Sequence, residues 1–242
     1  MEKKKIIFVL PMLNGGGAER VAVNYMRQLD LIKYELYVIV FQESNEILDL
    51  LPKCKLINLN TKSTKNSFFE LIKAIKNITP DIVYTTHSRV ATLLMLVKPF
   101  VKSFYHIARM QNTPTLEKKY DNYGVIHRIL YSLGFKSANI VIAQTQEMKE
   151  DAIKVFGLNE KTIKVMNNPL DKIYINQSIS NSINPFEKDK ISAVVSGRLK
   201  KEKAFDLVLK SMNIILKDYS NFVLHILGYN EGEKDNLIQL TK

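Results

Sequence analysis

Residues 4–20 read Lys4-Lys5-Ile6-Ile7-Phe8-Val9-Leu10-Pro11-Met12-Leu13-Asn14-Gly15-Gly16-Gly17-Ala18-Glu19-Arg20. Residues 6–10 are an unbroken apolar run, the pattern of a parallel strand buried on both faces. A glycine-rich turn follows, and beyond it Val21, Ala22, Tyr25, Met26 and Leu29 recur at helical spacing. Strand, glycine turn and helix are the opening half of a βαβ unit. The alternation then continues down the chain. Strands are predicted at residues 36–41, 56–59, 81–84, 103–107, 140–143 and 163–166. Helices are predicted at 68–78, 91–97, 123–136 and 147–156. Such alternation specifies an α/β fold around a parallel sheet.

Residues 172–190 break the rhythm. They are rich in Asn, Ser and Lys, carry Pro185, and read as a linker. A second cycle then begins with a strand at 191–195, a loop at 196–203, a helix at 205–216, a strand at 222–227 and a loop at 228–233. A further helix starts before the chain ends. The expected organisation is two Rossmann-like domains, 1–171 and 191–242, joined by 172–190. Two strands fall short of the roughly five or six of a doubly wound domain, so the second domain reads as incomplete.

Composition narrows the class. With 46% hydrophobic and 24% charged residues among 242, the chain has the make-up of a folded globular protein. A lone cysteine, Cys54, excludes a disulfide framework and points to a reducing compartment. The apolar run at 6–10 is too short for a signal peptide, and no run reaches the roughly 18 residues of a membrane-spanning helix. The net charge of +11 is uneven: residues 53–136 hold 14 Lys/Arg against 4 Asp/Glu, and the rest holds 21 against 20. A basic surface attracts anionic lipid, nucleic acid or phosphorylated substrates.

Two loops carry phosphate chemistry. Glycines let the backbone turn sharply at 15–17, and the helix that follows offers free N–H groups and a positive dipole end to an anion. The dinucleotide fingerprint G-x-G-x-x-G is met at Gly15 and Gly17, but Arg20 takes its third place. Glu43, after the second strand, could bind a ribose, so an NAD(P)-binding enzyme stays open as an alternative, as does a tight turn with no ligand. The second loop is Ser196-Gly197-Arg198-Leu199 with Lys203 beyond it. A guanidinium fork and an ammonium on one loop can clamp a diphosphate and offset charge on a leaving group. A non-enzymatic basic module for membrane or RNA is the other alternative, although RNA-binding motifs and aromatic platforms are missing. No nucleic-acid partner is expected.

In order and spacing the chain resembles glycosyltransferase family 4, with its GT-B fold of two Rossmann-like domains. The matching pieces are Gly15-Gly16-Gly17-Ala18-Glu19-Arg20, Asp81-Ile82-Val83-Tyr84-Thr85-Thr86-His87, Asn168-Pro169-Leu170-Asp171, the loop 197–203 and Leu227-Gly228-Tyr229-Asn230-Glu231-Gly232. The resemblance implies sugar transfer from a nucleotide-diphosphate donor with retention of configuration. The donor would sit mostly on the second domain, and a lipid-linked or other glycan acceptor on the first. Neither a cofactor nor a metal is implied, and no DxD motif occurs.

By the same resemblance, Gly197, Arg198, Lys203 and Gly228 belong to the donor diphosphate, and Gly15, Gly16 and Gly17 approach it from the first domain. Glu19 would lie near the transferred sugar. Where many members carry a histidine, the segment ending in Arg109-Met110-Gln111-Asn112 has Gln111, which cannot exchange a proton near neutral pH. His87 and His106 are the possible substitutes. Arg109 joins His87 and Glu19 as a candidate catalytic residue, and His225 reads as structural. The family's glycine after the loop lysine is Ala204 here, which a helix start is expected to tolerate.

The family's Glu-(seven residues)-Glu motif has no credible counterpart, since Glu35 and Glu43 flank a first-domain strand. The chain is therefore expected to be inactive alone, a fragment or a partner to a second chain that supplies the missing half. A cytoplasmic site is expected, at the inner face of the plasma membrane. The helix at 68–78 is basic and partly apolar; its apolar stripe is expected to pack on the sheet, while Lys73 and Lys76 are either solvated or drawn to anionic lipid.

Overall fold

The computed structural model describes residues 2–44, 46–61, 63–121, 124–180 and 182–241. Tyr123, where the sequence pattern begins a helix, and the terminal Met1 and Lys242 lie outside them. The chain forms two compact units that divide after Lys172.

The first unit follows the alternating pattern. Its strands are β1 (Lys4–Leu10), β2 (Tyr34–Val40), β3 (Lys55–Asn58), β4 (Ile82–Thr86), β5 (Tyr105–Arg109), β6 (Ile140–Ala143) and β7 (Ile163–Val165). Its helices are α1 (Gly17–Gln28), α2 (Phe68–Ile78), α3 (Ser88–Val97), α4 (Pro114–Asp121), α5 (Val125–Lys136) and α6 (Gln146–Phe156). The seven strands make one parallel sheet in the order β3-β2-β1-β4-β5-β6-β7. From β1 the chain winds outward through β2 to β3. It then returns to place β4 on the other side of β1 and winds the opposite way. The β1–β4 boundary is therefore a topological switch point, where the loops at the carboxyl ends diverge and leave a crevice.

Alternation along β1 shows why the run is apolar throughout. Ile6, Phe8 and Leu10 pack under α1 with Ala22, Val23 and Met26. Ile7 and Val9 face the other way, into Leu71 and Ile75 of α2 and Val90 and Leu94 of α3. A third apolar cluster joins Ala108, Val141 and Ala143 to Tyr131 and Phe135 of α5 and Met148 and Phe156 of α6.

Two helices escape the sequence pattern. α4 starts on Pro114, whose fixed φ and missing N–H suit a first helical position. α7 (Lys172–Ser180) has no buried residue, so no amphipathic stripe announces it. Strand β5 starts two residues later than its apolar pattern suggests.

The second unit contains β8 (Ile191–Ser196), α8 (Phe205–Ile215), β9 (Phe222–Leu227) and α9 (Lys234–Leu240). β8 and β9 pair in parallel. Leu199, Phe205 and Leu237 form the buried centre, with Val195, Leu209 and Ile226 against it. Val194, in the middle of β8, is 45% exposed, so a strand with the composition of a two-sided core is covered on one side. Among the described residues no helix is long and apolar enough to cross a membrane.

Candidate active site

Two loops meet at the switch point of the first unit. After β1 the chain turns at Gly15, whose φ of 69° lies in the left-handed region that favours glycine. The turn is pinned by Arg20 Nε, which donates to the Gly15 carbonyl at 3.0 Å. Gly16 caps α1 with an extended backbone and no side-chain bond to the helix. A Cβ on Gly16 would collide with the Glu19 carboxylate, whereas one on Gly17 would meet nothing within 4 Å. Gly16 thus makes room for Glu19, and Gly17 faces open space at a helix N-terminus, a geometry suited to an anion.

Glu19 stands in the first turn of α1 and is 5% exposed. The helix dipole favours a carboxylate there. Its Oε1 lies 3.3 Å from Nε2 of His87, which precedes α3 at the end of β4. His87 has φ 68° and ψ 139°, a region sparsely populated outside glycine and costing about 1–3 kcal/mol. Two loops far apart in sequence therefore place a buried carboxylate and an imidazole together at the switch point. His106 is elsewhere. It is fully buried within β5, its Nε2 is 2.9 Å from Thr85 Oγ1, and burial, helped by the Lys98 charge, pushes its pKa down to about 3.

Arg109 ends β5 and is 1% exposed. Its Nη2 donates to Asn168 Oδ1 at 2.5 Å, and Asn168 Nδ2 donates to Gln144 Oε1 at 3.0 Å. Gln144 Nε2 in turn donates to the carbonyls of Met110 and Gln111. The chain binds the carboxyl ends of three neighbouring strands together. The Tyr25 and Tyr84 hydroxyls lie within reach of the Arg109 charge, which opposes the upward push of burial on both phenols. Neither hydroxyl, nor Nε and Nη1 of Arg109, has a well-aligned hydrogen-bond partner among the described residues. The exit segment is tied to α1 through Asn24 Nδ2 to the Pro169 carbonyl at 3.0 Å and Arg27 to Asp171 at 3.0 Å.

The second unit gathers its own loop residues. Gly197 N donates to Leu227 O and Leu199 N to Tyr229 O, so the loops after β8 and β9 run side by side. A Cβ on Gly228 would clash with the Gly197 carbonyl, which makes glycine mandatory. The Lys203 side chain lies beside Gly197. Arg198 Nη1 is 3.1 Å from Glu231 Oε1, a pair a phosphate would compete with. Ala204, at the start of α8, has φ 54° and ψ 34°. That left-handed conformation strains an alanine more than a plain helix start would, and it gives the glycine of the family pattern its reason.

Of the residues named from sequence, the structure brings Gly15, Gly16, Gly17, Glu19 and His87 to one edge, sets Arg109 at the neighbouring strand end, and holds Gly197, Arg198, Lys203 and Gly228 in the second unit. Sequence reasoning named them singly. It missed Tyr25, Tyr84 and Gln144. Asn168 was visible only as part of the Asn168-Pro169-Leu170-Asp171 motif. Among the described residues no group of three or more His, Cys, Asp or Glu side chains could hold a metal ion.

A glycine turn and a helix N-terminus at the switch point of a doubly wound sheet define an α/β protein of the Rossmann-like type. The family model of Glycosyltransferase Family 4 matches residues 15–172, from the glycine loop to the end of the first unit, and the chain belongs to that family. An uncharacterized glycosyltransferase of Methanocaldococcus jannaschii is 28% identical over 181 residues, 71% of this chain and 44% of that protein. The N-acetylgalactosamine-N,N'-diacetylbacillosaminyl-diphospho-undecaprenol 4-alpha-N-acetylgalactosaminyltransferase of Campylobacter jejuni is 25% identical over an alignment of 252 positions, covering 99% of this chain and 66% of that one. The chain thus spans 44% and 66% of these two relatives. Anabaena HepE, solved in complex with UDP and glucose, superposes with a TM-score of 0.72 at 12% identity over 98% of this chain and 65% of that one. At that identity the likeness carries the fold, which is GT-B-like, and not the reaction.

Proposed function

We propose that this chain is the acceptor-side domain and diphosphate loop of an enzyme that moves a sugar from a nucleotide-diphosphate donor to a glycan acceptor. The observation that carries the reading is the Glu19–His87 pair beside the open glycine loop at the switch point. Family membership and the phosphate-ready loop of the second unit support it.

Transfer breaks the bond between the anomeric carbon and the diphosphate oxygen and forms one to an acceptor hydroxyl oxygen, which gives up its proton. Negative charge grows on the departing diphosphate. Arg198 and Lys203 offset that charge, with the Gly197 and Gly228 backbones letting the diphosphate approach. In the first unit, Gly15, Gly16 and Gly17 shape the loop at the helix N-terminus, while Glu19 and His87 touch the reacting sugar. Retention of configuration fits the family resemblance. Arg109, bonded to Asn168 and through it to Gln144, positions the strand ends. The Campylobacter relative named above acts on a diphospho-undecaprenol-linked acceptor. By analogy with that relative we infer a lipid-linked or surface-polysaccharide acceptor, and we propose the inner membrane face as the place of transfer.

The 242-residue chain alone is expected to bind a nucleoside diphosphate without transferring sugar. Incubation of the purified chain with radiolabelled nucleotide sugars and a polyprenyl-diphosphate glycan tests this. Labelled diphosphate retained on the protein, with no labelled glycan formed, is the expected result. Steady glycan labelling by this chain alone overturns the inactivity, and absence of any nucleotide binding overturns the whole reading.

A further inference from the structure

Five buried polar atoms of the first unit collect on one face of its sheet. Thr86, the last residue of β4, is in register with Arg109, the last of β5. Side chains alternate along a strand, so Tyr84 shares the face of Thr86. Tyr84 packs there against Phe8 of β1, with ring centroids 4.9 Å apart. Tyr25 of α1 covers the same face, its ring 5.9 Å from that of Tyr84. The Tyr25 and Tyr84 hydroxyls, Thr86 Oγ1, and Nε and Nη1 of Arg109 are shut off from solvent without a well-aligned partner among the described residues.

Together these atoms suit an anion. The guanidinium nitrogens only donate, and the three hydroxyls can donate as well. Arg109 stays charged, and burying a charge is costly unless an opposite charge joins it. The carboxylates at this end of the sheet are engaged elsewhere: Asp171 pairs with Arg27 at 3.0 Å, and Glu19 faces His87 at 3.3 Å. Arg109 itself bonds the neutral amide oxygen of Asn168. The surroundings also set the size of the guest. Phe8, Ile107 and Ile142 close the space around Tyr84, and a tetrahedral oxyanion would press charged oxygens onto them. A monatomic halide would not. Tyr25 is only partly buried, so its ring is the group that yields to admit the ion.

We propose that the first unit binds a halide ion, chloride in the cell, between α1 and the carboxyl ends of β4 and β5. The Arg109 guanidinium and the hydroxyls of Tyr25, Tyr84 and Thr86 hold it. The ion neutralises the buried charge and steadies the guanidinium that bonds Asn168. Through Asn168 and Gln144 it secures the exit segment against the strand ends. The proposal needs only the fold of the first unit and does not rest on the transferase reading.

Thermal unfolding of the 242-residue chain in sodium chloride, bromide, gluconate or phosphate, at one ionic strength, tests it. A ligand of the folded state raises the unfolding midpoint by mass action. Chloride and bromide should raise it above the value in gluconate. Phosphate stabilises many folds by exclusion from their surfaces, so the quantity read is the rise that the variants lose. Arg109→Met should abolish the halide rise. Tyr25→Phe with Tyr84→Phe keeps the rings and removes two donors, and should lower the apparent halide affinity at least about tenfold. Crystals of the unsubstituted chain soaked in bromide give a readout independent of any variant: an anomalous peak within hydrogen-bond reach of Arg109 Nε. A midpoint no higher in halide than in gluconate, an equal rise in the double Phe variant, a variant-sensitive rise in phosphate alone, or bromide peaks confined to the surface overturns the proposal.

Discussion

His87 Nε2 stands 3.3 Å from the Glu19 carboxylate although 68 residues separate the two in sequence. The imidazole reaches that position from a strained backbone, with φ 68°. Strain of this kind persists where surrounding contacts enforce it, and it gathers at functional sites. A residue kept there against its own conformational preference invites a test that separates stability from binding.

His87→Gly should relieve the strain and raise stability by about 1 kcal/mol, the remainder of the relief being offset by the greater freedom of glycine in the unfolded chain. His87→Ala keeps the strain and should give no gain. Both should weaken nucleotide-sugar binding. Urea unfolding paired with ligand titration of the two variants checks this; a His87→Gly protein less stable than His87→Ala contradicts it.

The second unit offers a matched pair of glycine tests. Ala204→Gly places glycine where φ is 54° and should stabilise that unit by about 0.5–1 kcal/mol. Gly228→Ala drives a methyl into the Gly197 carbonyl and should cost about 2 kcal/mol or more. Proteolysis within residues 191–241 reads both, slower for the first and faster for the second.

His106 sets a pH dependence whose sign is fixed. Its pKa is about 3 in the folded chain and about 6.5 in an unfolded one. Between those values the unfolded state binds the extra proton. The stability tied to a neutral His106 is complete above pH 6.5 and is lost as pH falls toward 3. His106→Gln should therefore show a flatter loss between pH 6.5 and 4.5, by up to about 1.4 kcal/mol per pH unit. Denaturation midpoints of both proteins across that range decide it; parallel curves contradict the assignment.

Much of the fold could be read from single segments. The apolar run of β1 needed both sheet faces covered, and α1 on one side with α2 and α3 on the other supply that cover. Glycines 15–17 announced their loop for the same local reason. What stayed hidden depends on distant partners or on backbone angles. Nothing in the letters places Gln144 between Asn168 and the Met110 carbonyl, and nothing reveals the left-handed φ of Ala204. The buried face of α5 was obscured because the helix is apolar nearly all round, and it emerges only once Gly134 is seen against Thr92. α2, with the cleaner amphipathic pattern, spends its stripe on the sheet, as that pattern suggested.

In our proposal the glycine loop of the first unit and the Arg198 loop of the second serve a nucleotide-sugar enzyme. Calorimetric titration of the 242-residue chain with UDP, GDP, UDP-sugars and NADH, at one fixed salt concentration, tests it most directly. The expected result is binding of at least one nucleoside diphosphate, weakened about tenfold, or about 1.4 kcal/mol, by Arg198→Ala, with no binding of NADH. Tight NADH binding with no response to any nucleoside diphosphate or nucleotide sugar would contradict it.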